Sequence, residues 1–180
     1  GQGCRPRPRR FNRMTFRSPP EGCHQVQDSD DAAGLARLFD FLRRLYEEQL
    51  PFNRVLGLTV RALGEKEVQV AFPMQASLVG NPHYGILHGG VISSVVDVAG
   101  GLAATAGVLR QLVGQPMDLI VQRVARIGTI DLRVDYLRPG KGREFVITGA
   151  IMRAGSKVAV TRMEMHSEAE VLFLNVDVTQ

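Results

Sequence analysis

Apolar residues recur at intervals of three and four along the early part of the chain, which is the spacing of one helix face. They are Leu35, Leu38, Phe39, Leu42, Leu45 and Tyr46. Asp30 or Asp31 provides a side-chain oxygen that can cap the start of such a helix, and Pro51 cannot continue it. The pattern therefore predicts an amphipathic helix that begins near Asp31 and ends before Pro51.

Two strands and a long buried helix are predicted next. Residues 56–62 and 67–73 have the pattern of strands on either side of the Gly64-Glu65 turn. Residues 75–85 are typical of a loop, because they bring glycine, asparagine and proline side by side. Residues 89–110 are small or apolar nearly all round, which predicts a helix that is covered on most sides.

Strands dominate the rest of the chain. Residues 116–126 fit a short helix or a strand, and we favour the helix. Apolar and polar residues alternate strictly over 129–136, which predicts a strand that ends at the Pro139-Gly140 turn. Three further strands are predicted at 143–153, 157–166 and 170–178. Their connections are too short for parallel crossovers, so the strands should run antiparallel.

This order of elements predicts an α+β domain over residues 31–180. A helix that is apolar nearly all round has to be wrapped by other elements, and one strongly curved antiparallel sheet can do this. That arrangement is the hot-dog fold, with an extra helix at the N-terminal end.

The positive charge of the chain is concentrated at one end. The formal net charge is +4, and residues 1–20 contain six arginines and no acid; removing these six charges leaves −2 for residues 21–180. Residues 1–30 are therefore predicted to be a flexible basic leader. The rest of the protein is nearly neutral, so its charge does not indicate nucleic-acid binding. The chain does not begin with Met and Met14 lies inside the leader, so translated upstream sequence is an alternative to a functional arm.

The cysteines and the apolar runs indicate a cytoplasmic protein. Cys4 and Cys23 both lie in this N-terminal part, so the predicted core contains no disulfide. We see no apolar segment of the secretory-signal type. The longest apolar run, residues 91–109, contains Asp97 and many small residues, so we expect no membrane span.

The residues with the clearest chemical potential lie between Asn81 and Asp97. His88, Gly89 and Gly90 come where the loop enters the buried helix. In a first helical turn the N–H groups have no partner within the helix, and the helix dipole is positive there. Glycine also lets a ligand approach the backbone closely. Such donors suit an oxygen that becomes negative during acyl transfer.

Asp97 lies nine residues after His88, about two and a half turns along the helix. Burying a carboxylate among apolar residues is costly and needs a reason. Each signal alone has a structural explanation, because paired glycines allow tight packing and one Asp can cap another element or pair at an oligomer interface. Their combination at this spacing favours a catalytic site.

This segment resembles the acyl-CoA thioesterases of the hot-dog superfamily, particularly the branch of the phenylacetate-pathway thioesterases. That branch has a His-Gly-Gly followed by an Asp nine residues after the His, as His88, Gly89, Gly90 and Asp97 are here. Residues 128–140 and the Arg153–Lys157 turn are also similar to family segments, and the resemblance covers about residues 50–178.

The resemblance implies how such a site would work. The Gly89 N–H would polarise the thioester carbonyl, and Asp97 would act across a dimer interface as a general base on water or as a nucleophile. Thr129 corresponds to a Ser/Thr position that places the attacking water, and His88 would orient the loop. Asn81 belongs to the implied catalytic set, but it lies seven residues before His88 where the family has six, so its role is open.

The resemblance also implies the substrate contacts and the assembly. Gly90, Tyr136, Arg153 and Lys157 would bind substrate, with Tyr136 and Arg153 at positions that contact its CoA part. The expected assembly is a homodimer or a dimer of dimers, with no cofactor, because CoA is part of the substrate. The segment 112–127 is longer than the family minimum, so we expect it to reshape the acyl pocket.

Other functions stay open on the same fold. A hydratase or dehydratase of acyl thioesters would need a His and a carboxylate as an acid–base pair, for which His88 is available. A non-catalytic acyl-CoA-binding protein is the third reading, and nucleic-acid binding rests only on the leader. His24, His83 and His166 have no metal-ligand spacing, so no metal is expected.

Overall fold

The computed structural model describes residues 21–64, 67–155, 157–168 and 171–179. Its α-helices are α1 (Glu21–Arg44), α2 (Pro51–Leu56), α3 (Gly89–Gln111) and α4 (Met117–Val124). A π-helical turn (Leu45–Gln49) follows α1, and a 3₁₀ turn (Ala76–Leu78) follows the second strand.

The strands form one large antiparallel sheet and one small hairpin. They are β1 (Thr59–Leu63), β2 (Glu67–Pro73), β3 (Val79–Asn81), β4 (Ile86–Leu87), β5 (Asp131–Leu132), β6 (Glu144–Ala154), β7 (Ala159–Ser167) and β8 (Val171–Thr179). The large sheet has the order β1-β2-β6-β7-β8-β5, and β3 pairs with β4 beside the start of α3.

The core lies between α3 and the sheet strands β2, β6 and β7. The fully buried apolar residues of α3 are Val95, Val96, Ala99, Leu102, Ala106 and Leu109. Phe72 and Phe145, which are paired across β2 and β6, stack with ring centroids 5.2 Å apart. Burial of one large apolar side chain contributes about 1.5–3 kcal/mol, so this contact is a main source of stability. The predicted α+β hot-dog fold is confirmed.

By length and composition α3 could also cross a membrane. More than half of that apolar window is buried inside the protein, 56% of it, as expected for the core helix of a folded domain.

The first helix starts earlier than its apolar spacing predicts. It begins at Glu21, so a cap at Asp30 or Asp31 is wrong, and the helix crosses the predicted boundary between leader and domain. Residues 21–30 contain no proline, and Pro19-Pro20 comes directly before them in the sequence. A polar stretch can still form a helix, because apolar periodicity marks only the buried face of a helix. Residues 1–20 of the leader predicted at 1–30 lie outside the described residues.

Pro51 does end the first helical run, but it also starts a second one. Leu50 is extended (φ −81°, ψ 111°), the conformation favoured before proline, and Pro51 is the first residue of α2. Gly57 ends α2 in the left-handed region (φ 66°). The predicted strand 56–62 is therefore wrong at its start, and β1 occupies Thr59–Leu63.

The predicted strand at 129–136 is the other large difference. Only Asp131–Leu132 forms a strand, because β5 is at the sheet edge and pairs with β8 through Thr179 and Val178 alone. Leu132 and Val134 still pack on the core, whereas Ile130 and Tyr136, the outer members of the same apolar set, are exposed. The alternation therefore predicts the buried face only in the middle of the segment. The remaining strands and the helical choice for 116–126 are confirmed within a few residues.

Candidate active site

His88 caps the start of α3. Its backbone is extended (φ −68°, ψ 133°), and its Nδ1 accepts a hydrogen bond from the Gly90 N–H at 2.9 Å. Nδ1 acts here as the acceptor nitrogen of the ring, which leaves Nε2 as the nitrogen that can donate. The side chain thus does what Ser, Thr, Asp or Asn usually does at this position.

This cap leaves the Gly89 N–H available. Gly90 donates to the His88 side chain, and the N–H groups of Val91 and Ile92 donate to the His88 carbonyl. The Gly89 N–H, the first in the helix, has no acceptor within the part of the chain that the structure describes. It lies at the positive end of a helix of 23 residues, where an oxygen that gains negative charge is stabilised.

The neighbouring hairpin and loop hold this turn in place. The His88 N–H donates to the Leu78 carbonyl, and the Leu87 N–H donates to the Gly140 carbonyl, both at 2.9 Å. The backbone of Gly80 lies against His88, so that a Cβ at position 80 would be 2.5 Å from the Cα of His88. Any other residue at position 80 would displace His88, so this glycine is required by packing.

Tyr136 contacts the same turn from the segment after β5. Its hydroxyl donates to the Gly89 carbonyl at 3.0 Å. The residue fixes the first peptide of α3 while its side chain remains 52% exposed; its role in substrate binding stays a prediction.

Asp97 lies further along α3 and is half-buried. It accepts a hydrogen bond from the Thr129 hydroxyl at 2.6 Å. Thr129 lies 32 positions later, in the segment between α4 and β5. The structure thus brings together the predicted carboxylate and the predicted hydroxyl.

The Gly89 N–H and Asp97 do not meet within one chain. Asp97 comes eight residues after Gly89, a separation of about 12 Å along the axis of α3. N–H groups at the start of a helix point away from its body, so an oxygen bound by Gly89 lies still further from Asp97. Direct attack requires the reacting atoms to approach to about 3–3.5 Å. One chain therefore does not present both groups to one carbonyl.

Tyr46 is a polar neighbour of Asp97 that the sequence pattern did not identify. The Tyr46 hydroxyl lies near the side chain of Thr105, on α3. Burial raises the pKa of Tyr46, the nearby Thr105 hydroxyl lowers it, and the charge of Asp97 raises it. The phenol is therefore neutral near pH 7. Periodicity assigned Tyr46 to a helix face, but could not show that this face meets α3 near Asp97.

The other three predicted residues, Asn81, Arg153 and Lys157, lie at strand ends or in a turn. The Asn81 side-chain oxygen accepts from the His83 N–H at 3.1 Å, so it closes the loop between β3 and β4. Its catalytic role stays a prediction. Arg153 is exposed at the end of β6, and Lys157 is exposed in the turn that follows. Among the described residues, no cluster of three or more His, Cys, Asp or Glu side chains could hold a metal ion.

A hot-dog sheet around a helix with a free backbone donor and a carboxylate is suited to acyl transfer from thioesters. Residues 84–173 match the thioesterase superfamily. The chain is also 44% identical over 135 residues to the medium/long-chain acyl-CoA thioesterase YigI of Escherichia coli K12, covering 75% of this chain and 87% of the relative. The chain belongs to the thioesterase superfamily.

Solved structures agree with this assignment. A Shewanella oneidensis protein related to the thioesterase superfamily aligns with a TM-score of 0.74 and 40% identity, over 83% of this chain and 95% of that one. A Syntrophus aciditrophicus protein aligns with a TM-score of 0.68 and 37% identity, over 88% and 97% of the two chains. The predicted fold and the predicted thioesterase class are both confirmed.

Proposed function

We propose that this protein hydrolyses acyl-CoA thioesters to the free acid and CoA, in active sites that two chains share. The observation that carries the proposal is the separation of the Gly89 N–H from the Asp97–Thr129 pair along α3. If a second copy of α3 packs antiparallel to the first, Gly89 of one chain faces Asp97 of the other. A two-fold dimer would then contain two complete sites.

Two surface features support this pairing. Next to Asp97, the exposed and half-buried positions of α3 carry small residues, among them Gly90, Ser94 and Gly101, which allow another helix to approach closely. Beside them, the outer edge of β5 has no strand partner among the described residues, and Ile130 and Leu137 are 65% and 59% exposed. Unpaired edges and exposed apolar side chains favour association with a second chain.

The chemistry follows from the groups that would meet there. The thioester oxygen would accept the Gly89 N–H while it becomes negative. Asp97 would take a proton from water, whose oxygen attacks the carbonyl carbon; the C–S bond then breaks and the proton passes to the CoA sulfur. Alternatively, an Asp97 oxygen attacks the carbonyl carbon, the C–S bond breaks, and CoA leaves as a thiolate that takes a proton from water. Water then hydrolyses the resulting acyl-enzyme anhydride, which releases the acid and restores the Asp97 carboxylate. The Thr129 hydroxyl orients the carboxylate in either route.

The E. coli relative is named for medium- and long-chain acyl-CoA, and we propose the same substrate class here. A series of saturated acyl-CoAs, followed through thiol release, should give the highest kcat/KM in the medium or long range. A preference for the shortest chains would contradict the proposed class. The proposal of hydrolysis itself fails if no member of the series releases CoA.

The shared site is tested by mixing two inactive variants, Gly89→Pro and Asp97→Asn. In a mixed dimer the intact Gly89 of one chain faces the intact Asp97 of the other, so one of the two sites is restored. Activity should therefore reappear after the subunits are exchanged, and light scattering should show a dimer or a larger assembly. No recovery in a confirmed mixed dimer would contradict sharing.

A further inference from the structure

A cavity of about 620 Å³ lies between α3, α4 and the β6–β7 turn. This volume is typical of a small-molecule site. The cavity borders the candidate active site, because Thr129 lines it and donates to Asp97. The end of α4 and the residues after it form one wall of the cavity.

The floor of the cavity continues the Asp97 face of α3. Ala104 and Val108 line the cavity and come seven and eleven residues after Asp97. At 3.6 residues per turn, both lie within about 20° of the direction of Asp97, and Val108 lies about 16 Å further along. A molecule whose thioester is at Asp97 can therefore extend from there into the cavity.

The walls of the cavity are positively charged. Arg123, Arg126 and Lys157 line it, and no acidic residue does. All three side chains are exposed. In the part of the chain that the structure describes, none of them forms an ion pair with a carboxylate. Like charges this close repel one another, so an anion between them would be favoured.

The geometry points to the phosphate groups of CoA as the occupant of this end of the cavity, with Arg123 and Arg126 as binding residues. This inference rests on the proposed function. In CoA the pantetheine arm separates the thioester from the phosphates, as the length of α3 separates Asp97 from the cations. The apolar lining residues, among them Val108, Ile127 and Val158, suit the carbon chain of a bound molecule, whereas a hydrocarbon at the cations would displace water from three charges. The guanidinium group matches phosphate with two parallel hydrogen bonds.

The test compares one acyl group on two thiols. The double variant Arg123→Gln/Arg126→Gln is assayed with an acyl-CoA and with the same acyl group on pantetheine, which lacks phosphates. We expect kcat/KM for acyl-CoA to fall about tenfold or more, mainly through KM, and to stay unchanged for acyl-pantetheine. The double variant Arg123→Lys/Arg126→Lys should recover part of the loss, because it retains the charge.

The matched control is Arg37→Gln/Arg54→Gln, which removes the same charge from two exposed arginines outside this cavity. It should leave both substrates unaffected. An unchanged KM for acyl-CoA, or an equal loss on both thioesters, overturns the inference. The phosphate site can be tested separately from the proposed function by measuring the binding of free CoA by calorimetry. If the wild-type protein hydrolyses neither thioester, the proposal of hydrolysis is refuted. If it nevertheless binds CoA at least about tenfold more tightly than the Arg123→Gln/Arg126→Gln variant, the phosphate site is supported.

Discussion

The two functional parts of α3 are built in different ways. At its start, the His88 side chain accepts from the Gly90 N–H two residues later, and the Gly89 N–H between them is a backbone donor. In its middle, Asp97 depends on a hydroxyl that comes 32 positions later. The first part is therefore a local product of sequence, and the second exists only in the folded protein.

This difference determines how each part can be disrupted. A backbone donor survives most side-chain substitutions, so only proline removes it. A carboxylate is lost by changing one atom of one side chain. Loss of the Gly89 N–H and loss of the Asp97 carboxylate should therefore both lower kcat strongly. The control variants differ, because a side chain can be added at position 89 without loss of the N–H, whereas the control for Asp97 is a carboxylate elsewhere in the protein.

The largest effect is expected for Asp97→Asn. The change keeps the shape but removes the basic, nucleophilic oxygen, so kcat should fall about 10²–10⁴-fold with little change in KM. Steady-state kinetics measures both. Asp40→Asn, which alters an exposed carboxylate paired with Arg44, is the matched control and should be neutral.

If Asp97 only stabilises the fold or the dimer, lost activity should instead follow lost stability. The melting temperature and the oligomeric state are therefore measured on the same preparation. A folded dimer of Asp97→Asn with normal turnover would refute the mechanism.

Gly89→Pro should be nearly as damaging. Proline removes the N–H, and the loss of one such donor costs about 10²–10³-fold in kcat. Proline is favoured at the first helical position, and the extended His88 before it is compatible with proline. Melting should therefore be unchanged.

Gly89→Ala is the control for that variant. A Cβ at this position would lie 3.5 Å from the Tyr136 ring, an ordinary contact, and the N–H is retained. Most of the activity should remain. Equal losses in the alanine and proline variants would mean that the N–H has no special role.

Thr129→Val should have an intermediate effect. It removes the hydroxyl that donates to Asp97 at 2.6 Å. A hydrogen bond to a charged group contributes about 1.5–3 kcal/mol when buried, and the exposure of Thr129 reduces this, so we expect about a tenfold loss in kcat. Thr129→Ser retains the donor and should stay near the wild-type rate; equal effects of Val and Ser would contradict the role.

His88→Ala should affect stability. It removes the side-chain acceptor for the Gly90 N–H, and loss of a cap costs about 0.5–2 kcal/mol. The melting temperature should fall by a few degrees, roughly 2–8 °C. His88→Asn can supply another acceptor and should recover part of this. Identical melting of all three proteins would show that the cap contributes nothing.

The smallest effect concerns Glu168, a carboxylate held by backbone groups. The N–H groups of Glu144 and Arg143 donate to it and lower its pKa from 4.5 to about 2. A lowered pKa in the folded state adds stability above pH 4.5 that is lost as the pH falls toward 2. The small difference in melting temperature between wild type and Glu168→Gln should therefore disappear over that range; a difference that grows on acidification would contradict it.

Strong local patterns predicted most of the fold. The helix at Gly89–Gln111 and the strand at Glu67–Pro73 are where the sequence placed them, because a continuous apolar face needs no distant information. The strand β5 is shorter than predicted. A strand also needs a neighbouring strand to pair with, and the alternation of apolar and polar residues does not show where that neighbour lies or how far it extends. The N-terminal start of α1 was missed because its polar residues have no periodicity.

For the site, the sequence by itself determined the residues and their order on one helix. His88, Gly89 and Asp97 follow from a contiguous segment in which spacing alone gives the face and the rise. Only the tertiary structure placed Thr129 against Asp97, Tyr46 beside it, and the arginines of the α4 segment around the cavity. The reason is physical: helix geometry is set by neighbouring residues, whereas contacts between distant segments depend on how the sheet closes around α3.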